Sequence, residues 1–137
     1  MTFPLTLTTN EPLSAAEANA RSMLALAHVG DAVFDLLVRT RLCLDGRLTA
    51  GDLHRETVRY VSAVAQAATA KKLLPLLDQR EEGVYRRGRN AHSHAAPKGA
   101  TPMEYHAATG LEALFGWLYL RGEKARIEEL FSHLMED

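Results

Sequence analysis

At 137 residues the chain is sized for one domain with a single core. Its formal net charge of −1, from 16 Lys and Arg against 17 Asp and Glu, excludes a bulk polycation. Any contact with nucleic acid must then come from a local patch. Cys43 is the one cysteine, which excludes a disulfide framework and a cysteine metal site and fits a reducing cytoplasm. Asp31, Asp35, Arg39 and Glu112 interrupt every apolar run short of the ~18–20 residues of a membrane span, so no membrane association is expected. The first residues, MTFPLTLTTNEPLSAAEANA, lack the charged start and apolar core of a signal peptide.

The pattern is helical almost throughout, rich in Ala and Leu and poor in strand-type alternation, which predicts an all-α fold. Residues 1–13 read as extended, with Pro4 and Pro12 as breakers. Ser14 caps a short helix through Arg21, and a long helix runs from Ser22 to Leu44 and stops at Asp45 and Gly46. Thr49 caps a helix over Ala50–Val58, and Ser62 starts another that reaches Leu74. A charged piece over Asp78–Arg87 is expected to be exposed. The segment RGRNAHSHAAPKGA, Arg87–Ala100, is expected to be a loop because of its Gly, Pro, Asn and Ser. Thr101-Pro102-Met103-Glu104 is a helix start with a cap, Pro at the first helical position and a capping-box Glu; that helix reaches Leu120 and ends near Gly122. A last amphipathic helix covers Glu123–Met135.

Two carboxylates sit where helix physics disfavours them. LALAHVGDAVFDLL, Leu24–Leu37, is apolar on all sides and reads as a central buried helix, yet it holds Asp31 on a stripe with Leu24, Ala27, His28, Phe34, Asp35 and Val38. Gly30 beside it opposes helix stability, and makes sense if another backbone or a ligand approaches closely. The plain reading is that Asp31 pairs with an Arg or caps another helix; the other is a metal-binding or general-base carboxylate. In YHAATGLEALFGWLYL, Tyr105–Leu120, Glu112 is the sole acid, with Ala108 and Gly116 one turn away on either side. Two anions in one small core require a cation or a proton between them. A hard divalent ion such as Mg²⁺, which takes one or two protein carboxylates and fills its shell with water and phosphate oxygens, points to phosphodiester chemistry.

A basic segment follows the same logic. Val84–Ala100 holds Arg86, Arg87, Arg89 and Lys98, with Asn90 as a small donor and no acid. Such a run is either a solvated face or a phosphate contact. His92 and His94 have no third ligand nearby and make a weak metal pair. His54, Arg55 and Arg59 form a second cluster, for which surface pairing with Asp52 and Glu56 is the plain expectation.

LALAHVGDAVFDLLVR resembles the signature helix of the ribonuclease III fold. HRETVRYVSAVAQA, RRGRNAHSHAAPKGAT and YHAATGLEALFGWLYL resemble, in order, further blocks of the Mini-III branch, a stand-alone catalytic domain without the double-stranded RNA-binding domain. The resemblance spans about Ser22 to Leu130. It implies that Asp31 and Glu112 are the catalytic and Mg²⁺-binding carboxylates, with Mn²⁺ as a substitute ion. It implies substrate contact by Arg86, Arg87, Arg89, Asn90 and Lys98, and places His54 and Arg59 in a further family block. Full-length ribonuclease III carries a Glu one turn before the signature Asp and an Asp one turn before the late Glu; here those positions are Ala27 and Thr109. The resemblance further implies a homodimer of one domain over residues 1–137, cleaving double-stranded RNA in the maturation of 23S ribosomal RNA precursor in the cytoplasm, with a ribosomal protein as an assisting partner. The alternative is an RNA-binding scaffold on the same fold with a weak or dead site.

Overall fold

The computed structural model describes residues 11–46, 49–91 and 99–134. Among the described residues seven helices follow in order: α1 (Ala15–Asn19), α2 (Met23–Asp45), α3 (Ala50–Val61), α4 (Ala63–Leu73), α5 (Gln79–Asn90), α6 (Pro102–Leu120) and α7 (Lys124–Leu134), with a 3₁₀ turn, Leu74–Leu76, after α4. No strand occurs among the described residues. The expected all-α fold is therefore the observed one. Of the expected extended segment over residues 1–13, residues 1–10 lie outside the described residues.

Local chemistry sets most boundaries. Ser14, Ser22, Thr49, Ser62, Asp78 and Thr101 each accept a backbone N–H of the first helical turn, and Ser14, Asp78 and Thr101 complete capping boxes with Glu17, Glu81 and Glu104. Gly46 ends α2 at φ +73°, a left-handed conformation that glycine adopts without penalty.

The centre belongs to α6 and not to α2. From Ala108 to Leu118 every α6 residue except Glu112 is buried. Around it pack α2, α4 and α5, and α7 closes one end with Ile127, Leu130 and Phe131. Phe34 of α2 meets Phe115 edge-on at 5.6 Å and Phe131 at 6.4 Å. Each such large side chain contributes about 1.5–3 kcal/mol by leaving water. Trp117 Nε1 donates to Asn19 Oδ1 at 2.9 Å, which fastens α1 to the central helix.

Glycines set how closely the helices cross. A Cβ on Gly30 would overlap the Glu112 carbonyl and lie 2.8 Å from Gly116 N; a Cβ on Gly116 would lie 2.8 Å from the Leu26 carbonyl carbon. So α2 and α6 touch backbone to backbone, in keeping with the mid-helix placement of Gly30. A second crossing joins α5 to α6, where a Cβ on Gly88 would lie 2.7 Å from Ala113 Cβ.

Three expectations are corrected. The long helix α2 is not buried all round: Leu26, Gly30, Val33, Phe34, Leu37 and Val38 face the core, whereas Leu24 and Leu36 are 39% and 38% exposed. The charged piece after Asp78 is not an exposed appendage, and Arg87–Asn90 is not loop. Both belong to α5, which buries Glu81, Gly83, Val84, Tyr85 and Gly88. Gly88 does not break this helix because it is the contact surface against Gly110 and Ala113. Glu81 is buried because Arg126 of α7 meets it through two hydrogen bonds of 2.7 Å.

Candidate active site

The α2–α6 crossing opens on one side into a groove of about 340 Å³. Ala27, His28 and Asp31 line it from α2, and Tyr105, Thr109 and Glu112 from α6. The backbone contact at Gly30 brings Asp31 and Glu112 together, since Gly30 precedes Asp31 and abuts the Glu112 carbonyl. The pairing of the two carboxylates expected from sequence is thus present in the geometry.

Their environments differ from expectation. Asp31 is exposed to the groove; burial falls on Glu112. The Glu112 carboxyl is pushed up from 4.5 to about 8, first by burial, then by a hydrogen bond with Asp31 and its charge, and last by the charge of Asp35. Asp35, partly buried, is raised by burial and by Asp31, against which Arg39 acts. No basic side chain lowers Glu112. Near neutral pH the raised Glu112 keeps its proton, or a cation must take its place.

Gln66 of α4 approaches Glu112 from the side away from the groove and lowers its pKa. Sequence reasoning did not single it out. The available signal was a carboxamide at the register of Ala70 and Leu73 on the buried face of α4.

None of the basic residues singled out in the sequence lines the groove. Arg86, Arg87, Arg89 and Asn90 are exposed on the last turns of α5. Arg86 lies 3.5 Å from Glu82, and the Arg89 guanidinium lies 5.8 Å from the Tyr85 ring centre. This helix end crosses α6 at Gly110 and Ala113. His54 and Arg59 are exposed on α3, where Arg59 pairs with Glu56 at 2.9 Å and Arg55 pairs with Asp52. That is the surface pairing expected, worth about 0–1 kcal/mol per pair. Lys98, His92 and His94 lie outside the described residues.

The Ribonuclease III domain family matches residues 24–123, a span that contains both groove-lining helices. The chain belongs to the ribonuclease III family. As a member it is an endoribonuclease. It is 51% identical to a Mini-ribonuclease 3 of Symbiobacterium thermophilum over 78% of this chain and 82% of the relative. It is 45% identical to a Mini-ribonuclease 3 of a Thermoanaerobacter species over 80% of this chain and 77% of that one. A crystal structure of a Fusobacterium nucleatum protein superposes with a TM-score of 0.79 at 29% identity, covering 85% of this chain and 94% of that one. The resemblance to the Mini-III branch is borne out.

On this ribonuclease III fold, Asp31 and Glu112 suit a hard divalent cation. They are oxygen donors, they need a positive charge between them, and the open groove leaves the remaining positions to water and phosphate. Among the described residues no group of three or more His, Cys, Asp and Glu gathers to hold a metal ion. The positions one turn before each carboxylate agree with the thinning seen in the sequence. Ala27 adds no oxygen, and the Thr109 hydroxyl donates to the Tyr105 carbonyl at 3.0 Å instead of reaching Glu112.

Proposed function

We propose that this protein cleaves double-stranded RNA in a Mg²⁺-dependent reaction, with Asp31 and Glu112 as the catalytic carboxylates. The observation that carries the reading is the opposition of Asp31 and a high-pKa Glu112 across an open groove, with no basic side chain lowering Glu112. A bound divalent cation supplies activation of water for in-line attack and neutralises charge on the phosphate. Asp31 and Glu112 would hold it, or Mn²⁺ in its stead. Asp31 presents its carboxyl group at the exposed rim of the groove. Glu112, fixed in the central helix, presents its carboxylate from the floor. Gly30 sets the spacing between them. The products carry 5′-phosphate and 3′-hydroxyl ends, as the resemblance implies.

Binding on this reading goes to the duplex backbone. The deep major groove of A-form RNA excludes side chains, so shape and phosphate contacts dominate. Arg86, Arg87, Arg89 and Asn90 at the exposed end of α5, with Lys98 beyond it, contact phosphates; His54 and Arg59 on α3 form a second contact region. The resemblance to the Mini-III branch supports a homodimer, and the exposed Leu36 of α2 is available to its interface. The chain as a whole, residues 1–137, acts as one catalytic domain. No helix among the described residues is long and apolar enough to cross a membrane. The resemblance to the Mini-III branch supports the finer reading: large-subunit (23S) ribosomal RNA precursor as substrate, in the cytoplasm, with a ribosomal protein assisting.

The test is cleavage of a long RNA duplex in Mg²⁺ by wild type and Asp31→Asn, with mapping of the cut ends. The substitution should reduce cleavage by on the order of 10² or more without lowering the melting temperature. Retained cleavage in a clean preparation would remove Asp31 from the mechanism.

A further inference from the structure

The core beside Glu112 holds a polar group that the mechanism above does not use. Gln66 is 1% exposed, on the face of α4 that also buries Thr69, Ala70 and Leu73 against the core. Its Nε2 has no hydrogen-bond partner. A fully buried donor without an acceptor is rare, and an apolar side chain of the same volume would serve packing better. The neighbour that fits is the Glu112 carboxylate. The Gln66 amide lies near enough to it to lower its pKa, yet its Nε2 makes no hydrogen bond. Gln66 does not line the groove, whereas Glu112 does, so the amide meets the carboxylate from the protein interior.

A carboxylate has two oxygens with about four acceptor sites, and the terminal torsion of a Glu side chain is broad. Held only by Asp31, the Glu112 carboxylate turns freely. A donor on the interior side fixes one oxygen and leaves the other toward the groove. Outer partners of this kind orient metal-binding carboxylates in general.

We propose that Gln66 is a positioning residue that donates from Nε2 to the interior oxygen of ionised Glu112 and so orients the other oxygen toward the cation position beside Asp31. The inference rests on the proposed cation site. It assigns α4 a part in the chemistry: α2 and α6 carry the carboxylates, and α4 aims one of them.

The experiment uses Gln66→Met, which removes the donor and keeps the volume, and reads three quantities on the full chain: Mn²⁺ affinity without RNA, melting temperature, and single-turnover cleavage of duplex RNA against duplex affinity. The expected result is Mn²⁺ affinity weakened on the order of 10-fold or more. Cleavage should slow, with duplex affinity and melting temperature retained. A folded Gln66→Met protein with wild-type Mn²⁺ affinity overturns the inference, because a packing role moves the melting temperature and not the ion. Should Gln66→Met fail to fold, Gln66→Leu is read by the same criteria. Asp31→Asn serves as the control. If Asp31→Asn loses Mn²⁺ and Gln66→Met does not, only the role of Gln66 fails. If Asp31→Asn also binds Mn²⁺ as wild type does, the cation site itself fails.

Discussion

Two glutamates in this protein are withdrawn from water, and they are withdrawn in opposite ways. Glu81 of α5 accepts from Arg126 Nε and Nη2, each at 2.7 Å, and from the Asp78 backbone at 2.9 Å. Arg126 also donates to the Leu76 carbonyl and pairs with Glu129, so the charge is answered on every side. Glu112 of α6 faces another acid, Asp31, beside an unpartnered amide, and its carboxyl rises to about 8. A buried carboxylate with a fork of donors is a strut between α5 and α7. A buried carboxylate set against a second carboxylate opposes folding unless something else occupies the gap, and on the function proposed above that something is a cation.

The contrast can be broken at several points. The largest effect should come from the crossing that creates the Glu112 site. Gly30→Ala drives a Cβ into the Glu112 carbonyl, so α2 and α6 must part. A loss of more than about 4 kcal/mol in urea unfolding is expected, which few single substitutions reach. A small loss would mean that the crossing is looser than described. Next, Arg126→Met leaves Glu81 buried without its cation. It should cost about 3–5 kcal/mol, read by the same unfolding curves.

Glu112→Gln should do the reverse. The folded protein raises this acid from 4.5 to about 8, so it binds the proton more tightly than the unfolded chain does. The penalty is absent below pH 4.5, grows as pH rises, and is complete above about 8. Without divalent cation, wild type should lose stability across that window and Glu112→Gln should not. Melting scans from about pH 5 to about pH 8.5 should therefore show a variant that matches wild type at the acid end and exceeds it at the alkaline end, while cleavage is lost. A variant less stable throughout would make Glu112 a strut like Glu81. The smallest effect is expected from reversing Arg86 and Arg89 to Glu. Stability should hold, and the dependence of duplex binding on salt should flatten by about one unit of slope for each phosphate no longer neutralised. An unchanged slope would leave this turn a solvated surface.

The same contrast explains what was legible in the sequence. Caps were legible because they are local: Ser14, Ser22, Thr49, Ser62 and Thr101 all start helices where their side chains can accept a nearby N–H. The pair Asp31 and Glu112 was legible because each violates an apolar helix, and Gly30 because it weakens one. The burial of α5 was not legible. Its composition is charged, and only Arg126, 45 residues after Glu81, makes the burial possible. Gly88 looked like a breaker because its packing partners, Gly110 and Ala113, are distant in sequence. For α2 and α6 the ranking was inverted: both are apolar, and sequence does not say which is surrounded. Gln66 was missed because one amide in an Ala-rich helix carries no sign of what it faces.

The most direct test of the central claim is the titration of the Glu112 carboxyl by NMR in protein with labelled Glu side chains, without and with Mg²⁺. Without the ion, Glu112 should titrate near 8; with it, the transition should move down by about a unit or more, because the cation takes the place of the proton between Glu112 and Asp31. A Glu112 that titrates near its ordinary 4.5 without the ion, or whose transition does not respond to Mg²⁺, would contradict the account.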